Sequence, residues 1–166
     1  MSKSKKPRNK RYDPMRNARA IVSLKAKNRA AMLEESGKQI LTDDALQDLG
    51  IAYHTAFALM RQHGGEEPFH TLAAAINIAG RFCEMGIGDE YQDDVQAAVQ
   101  ALIRVRERAM RLGKWALDGA GIQAVARGLK VHDAQMASAT YNELRSAIEE
   151  VFRRNEAEKA SFSLAA

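Results

Sequence analysis

The sequence predicts an all-α, single-domain bundle of five to six helices carrying a disordered basic N-terminal arm, and three observations lead there. Hydrophobic residues make up 46% of the 166 residues, enough to bury one core in a chain of single-domain length. Ala, Leu, Met, Glu, Gln and Arg are common, and extended β-branched runs are absent. Apolar residues return at steps of three and four through successive segments that are separated by glycines and capping residues. The boundaries read as arm 1–16, bundle 17–154 and frayed C-terminal tail 155–166.

The longest pattern runs from Asp89 to Leu112 and is expected to be the central helix. Tyr91, Val95, Ala98, Leu102, Val105, Ala109 and Leu112 share one stripe, which Val99, Ile103 and Met110 widen. Asp89 is the expected N-cap, Asp93 and Asp94 suit the first turns, and Gly113 is the expected C-cap. A face this broad needs several partner helices.

Upstream, Asn17 can cap a helix to about Leu33, with Ala18, Ile21, Val22, Leu24 and Met32 as its apolar residues. Thr42 caps the next, whose stripe is Leu46, Leu49, Tyr53, Ala56 and Met60 and whose end is Gly64-Gly65. A third helix starts around Pro68 and buries Phe69, Leu72, Ile76, Ala79 and Cys83. Its alanines and Gly80 would let a neighbour approach closely. Gly86 and Gly88 bracket the turn that follows.

Beyond Gly113, Lys114–Leu117 reads as a short link whose Trp115 covers the bundle end. Asp118 caps a helix with Ile122, Val125, Leu129, His132 and Met136 on its apolar face. Gly119, Gly121 and Gly128 each weaken that helix by roughly 1 kcal/mol relative to Ala. Thr140-Tyr141-Asn142-Glu143 is a capping box opening the last helix. Tyr141, Leu144, Ile148 and Val151 form its stripe, broadened by Phe152.

Charge is divided along the chain. Residues 1–29 hold eleven Lys or Arg and one acid, a net +10, whereas residues 30–166 hold fourteen against twenty, a net −6. Lys3, Lys5, Lys6, Arg8, Lys10, Arg11 and Arg16 repel one another, with Pro7 and Pro14 stiffening an extended form. Each could displace a counterion from DNA or RNA, Tyr12 could stack on an exposed base, and Arg19, Lys25, Lys27 and Arg29 continue the basic surface. The same composition also suits a solubilising tail. A secondary basic face is offered by Arg104, Arg108 and Arg111 with Lys114; the competing reading is a solvated helix face with Glu107 paired to Arg111.

Other chemistry is poorly supported. A single cysteine, Cys83, excludes an internal disulfide, and no apolar run approaches the roughly 20 residues of a membrane span. The expectation is a soluble protein of a reducing cytoplasm, without metal or cofactor. His54, His63, His70 and His132 form no zinc-ligand pattern. His132-Asp133 resembles a base with its orienting acid, but neighbours on a helix point about 100° apart. His132 is therefore expected to be a buried, hydrogen-bonded histidine. Tyr53-His54 and Cys83-Glu84 fail for the same reason. Gly86-Ile87-Gly88-Asp89-Glu90 lacks the Lys-Ser/Thr of a phosphate loop and carries acids instead.

The opening Lys5–Pro14, the segment Leu72–Tyr91 and Val131–Met136 resemble small basic-tailed proteins encoded by phages and prophages of proteobacteria. The resemblance implies a mobile-element accessory protein in a bacterial host cell and assigns no catalytic residues. The leading expectation is a non-enzymatic accessory protein contacting DNA or RNA through the arm, by phosphate contacts without base specificity. The alternative is a protein-binding inhibitor of a host nucleic-acid-targeting defence complex. A homodimer is compatible with either.

Overall fold

The computed structural model describes residues 34–164, residues 158–164 by backbone alone. Contacts divide the chain into units 1–36 and 37–166. Of the first, only residues 34–36 are described, as helix; the expected arm and the helix expected from Asn17 lie outside the described residues. The second unit is the all-α bundle that the sequence predicts: α1 (Asp43–Gln62), α2 (Glu66–Glu84), a 3-10 turn (Asp89–Tyr91), α3 (Gln92–Leu112), α4 (Gly119–Ser138) and α5 (Tyr141–Leu164).

Most helix ends are those written in the sequence. Thr42 Oγ1 accepts from the Ala45 amide at α1, and Asp118 Oδ1 accepts from the Gly121 amide at 2.6 Å at α4. The α5 capping box is complete: Thr140 N donates to Glu143 Oε2 at 2.8 Å, and Glu143 N donates back to Thr140 Oγ1 at 3.3 Å. Gly113 closes α3 in the left-handed region. Gly64 has φ +70°, and a Cβ there would collide with the Trp115 carbonyl, which accepts from the Gly65 amide at 2.9 Å. Trp115 packs on Phe69 and so covers the bundle end.

Three boundaries differ from the reading. Asp89 starts the 3-10 turn instead of capping α3, whose N-cap Tyr91 makes no side-chain cap bond. Left-handed Gly88 tightens the chain there, its carbonyl accepting from the Tyr91 amide. α2 begins at Glu66, with Pro68 inside its first turn, where the missing N–H has no helical acceptor to lose. α5 continues to Leu164, ten residues past Arg154. Its ladder needs only its own backbone, and Glu150 ties to Arg153 and Arg154 along its surface.

The organising helix is α2 and not α3. α2 packs against each of the other four helices. Leu72, Ile76, Ala79 and Phe82 are fully buried on it, and Phe69, Ala75 and Cys83 nearly so. α3 buries Val95, Ala98, Leu102, Val105 and Ala109, as its stripe predicts. Its partners cover only that arc, so Tyr91, Ile103, Met110 and Leu112 are exposed. Phe152 on α5 is exposed too, 66%, one turn beyond Ile148, the last α5 residue packed with Leu144 and Ala147 against the core. An antiparallel bridge, Ile40 to Thr140, fastens the segment before α1 to the α4–α5 corner.

The close approach occurs at Gly128. A Cβ there would lie 2.7 Å from Ala98 Cβ and 3.1 Å from Ile76 Cδ1, so α4 meets α3 and α2 across a missing side chain. Ala98 Cβ is fixed to its backbone and cannot step aside. Gly128→Ala should therefore lower stability by about 1–3 kcal/mol in thermal or urea unfolding, despite alanine's better helix propensity. Gly119→Ala, with nothing within 4 Å of the added carbon, should leave stability unchanged or slightly raised. Equal effects at the two positions would contradict this packing.

Candidate functional site

The residues expected to contact nucleic acid fall into two groups. Lys3, Lys5, Lys6, Arg8, Lys10, Arg11, Tyr12, Arg16, Arg19, Lys25, Lys27 and Arg29 lie outside the described residues. On α3, Arg104, Arg111 and Lys114 beyond it are exposed. Arg108 is not free: its guanidinium donates to the Ala116 carbonyl at 2.8 Å and to Asp118 Oδ2 at 3.2 Å. It fastens the α3–α4 link, and its partner is the acid that caps α4. The Gly121 amide, followed by Arg108, holds the Asp118 carboxyl below its usual pKa. Arg106 is exposed too, but two positions from Arg104 it lies about 200° around α3, away from this face.

Other arginines of the bundle are also struts. Arg127 pairs with Asp94 across α4 and α3 at 2.9 Å. Arg154 donates to both Glu84 oxygens, at 2.8 and 2.7 Å, joining α5 to α2, and Arg81 pairs with the same carboxylate. The Arg154 bonds, with help from Arg81, hold the Glu84 pKa down to about 2.

His132 is buried, as expected, with its ring edge-on to Tyr53 and stacked near Phe82. Its expected hydrogen bonding is not met at Nδ1, which is buried without a partner. Desolvation lowers its pKa to about 4, against the raising influence of Asp133 and with a smaller lowering by His54. Asp133 makes its hydrogen bonds to Tyr53 and His54 and not to His132. Cys83 is buried as well, donating to the Gly88 carbonyl at 3.3 Å, and burial raises its pKa.

What the sequence reading missed is where Asp133 goes. Tyr53 Oη donates to Asp133 Oδ1 at 2.7 Å, and His54 Nε2 donates to the same carboxylate at 3.1 Å. The partners are 80 and 79 positions away, so no local pattern announces them. Burial, then the bond to Asp133, raises the Tyr53 pKa. Beside the triad, α1 and α4 leave an open cleft of about 380 Å³ lined by Leu46, Gln47, Gly50, Ile51, Tyr53, His54, Asp133 and Met136. Asp133 orients His54 as an acid orients a general base, yet no serine, threonine or cysteine lines the cleft to act as nucleophile.

Comparison with protein-family models, curated proteins and solved structures finds no match to this chain. Among the described residues, no group of three or more His, Cys, Asp or Glu could hold a metal ion, and no helix is long and apolar enough to cross a membrane.

His132 makes stability depend on pH. The folded imidazole has a pKa of about 4 against an ordinary 6.5, so the unfolded chain takes up the proton first. This contribution is complete above pH 6.5 and lost as pH falls toward 4, a change of about 3 kcal/mol. His132→Leu should flatten the urea midpoint between pH 7 and pH 4.5; an unchanged slope would place the titration elsewhere. Arg108→Ala should cost about 1–3 kcal/mol in unfolding free energy, through the two donors withdrawn from the link. Arg104→Ala and Arg111→Ala should stay within about 0.5 kcal/mol.

Proposed function

We propose that this protein is a non-enzymatic, mobile-element accessory protein that contacts DNA or RNA through its basic N-terminal arm. The observation that carries this reading is the division of charge, +10 over residues 1–29 and −6 over residues 30–166. The bundle adds to it. Arg81, Arg108, Arg127, Arg153 and Arg154 are engaged in ion pairs, and exposed Arg104 and Arg111 with Lys114 offer a modest second surface beside numerous carboxylates.

Phosphate contacts made by such an arm position the protein without reading bases. Affinity should fall steeply with salt and be similar for unrelated sequences. Deleting residues 2–16 removes seven cations and one acid and leaves every described core residue in place. With four or five charges engaged, the slope of log affinity against log salt on duplex DNA should flatten by about four units. Binding by gel shift or anisotropy from 50 to 300 mM salt, on the order of the range where counterion release dominates, measures it. An unchanged slope would remove the arm and make the α3 surface the next candidate. An inhibitor directed at a protein complex would instead bind bare nucleic acid weakly, with a shallow slope in both forms.

A further inference from the structure

Gly50 is a helix-interior glycine without a structural reason. It lies in the middle of α1 at an ordinary negative φ, and a Cβ there would stand 3.7 Å from Tyr53 Oη and 4.0 Å from His54 Cδ2, normal contact distances. Glycine at such a position costs about 1 kcal/mol relative to alanine. Gly128 has its close approach and Gly64 its positive φ, whereas Gly50 has neither. What the missing side chain does is leave the α1–α4 cleft open beside Asp133.

The cleft has a recognisable chemistry. Leu46, Ile51 and Met136 supply apolar walls, and Ile51 is 58% exposed although it flanks this concave site. Tyr53 and His54 hold the Asp133 carboxylate in a fixed orientation, yet it is 42% exposed and retains acceptor capacity toward the opening. The same half of α1 carries Asp43, Asp44 and Asp48, all exposed. A phosphate would meet like charge here. A cation with apolar flanks would meet complementary charge and complementary walls.

We propose that the α1–α4 cleft is a docking site for a basic amphipathic segment of a protein partner, a Lys or Arg of which meets Asp133 while its apolar neighbours seat on Leu46, Ile51 and Met136. The proposal rests on the residues of the cleft alone. It stands whether or not the arm binds nucleic acid.

The probe is a fluorescein-labelled helical peptide of about four turns with Leu and Arg at amphipathic spacing, titrated with the full chain in fluorescence anisotropy. A second peptide has Glu in place of every Arg. The Arg peptide should saturate and the Glu peptide should not. Gly50→Leu fills the cleft without altering charge and should weaken binding about tenfold or more. Asp133→Asn should weaken it by a similar factor, while Asp93→Asn on α3 should leave it within about twofold. Melting of each variant checks the fold. Were Gly50→Leu to melt below the parent, Ile51→Lys at an exposed position would replace it, with the same weakening expected. The proposal is overturned by parent-like binding in the cleft-filled variant, by equal losses in Asp93→Asn and Asp133→Asn, or by no saturation below about 1 mM.

Discussion

The structure depends on the burial of α2 among four other helices. Leu72, Ile76, Ala79 and Phe82 reach zero exposure only because α1, α3, α4 and α5 each cover part of the surface. Removing that apolar area from water is the main favourable term for a bundle of this size, and close packing makes it sensitive to single carbon atoms. Ile76 shows how the constraint spreads. It touches the place where Gly128 of α4 and Ala98 of α3 approach most closely, so one contact fixes three helices. The exposure of Ile103 and Met110 is the complementary result: α3 lies at the edge of this arrangement, with one arc covered and the next open.

Polar groups inside the bundle act as fasteners. Gln135 is buried on α4, and its Nε2 donates to the Ala79 and Ile87 carbonyls at 3.1 and 2.8 Å and to Cys83 Sγ at 3.3 Å. It thereby holds the α2–α3 turn against α4. Asp133, two residues earlier, performs the matching task toward α1 through Tyr53 and His54. His132, just before Asp133, has its Nδ1 buried without a partner in an aromatic setting, and the Gln135 Oε1 is likewise unpartnered. A neutral ring is tolerated there; a charged one would lack compensation. One turn of α4 thus carries a fastener, a pH-sensitive group and the acid of the cleft.

Charge is used in two ways. Within the bundle, Arg81, Arg108, Arg127 and Arg154 span elements or steady turns, each beside a carboxylate or carbonyl. The more exposed pairs, at Arg127 and Arg154, contribute little individually to stability, whereas Arg108 is partly buried and also holds the Ala116 carbonyl. They do keep cationic groups from forming one continuous surface. The excess of positive charge is consequently a property of residues 1–29, and the excess of negative charge one of the globule.

Apart from Leu49 on α1 and the ends and flank of α3, which are exposed, the amphipathic stripes of α1, α2, α3 and α4, the caps at Thr42, Asp118 and Thr140, and the glycine stops at 64 and 113 were legible because each depends on residues within a few positions. His132 was placed in the core by the same periodicity. Its missing Nδ1 partner was not foreseeable, since hydrogen-bond partners come from other helices. Which helix lies at the centre was misjudged for the same kind of reason. The α3 stripe is longer, but centrality depends on how many helices can surround a segment, and the small residues of α2 allow more. Arg108, Gln135 and the Tyr53–His54–Asp133 cluster remained hidden because contact over tens of positions is set by packing angles, which no local spacing encodes. The sequence by itself determined the helices, their buried faces and the charge of the two ends; the tertiary structure decided the hub, the fasteners and the cleft, because only packing brings α1 and α4 side by side.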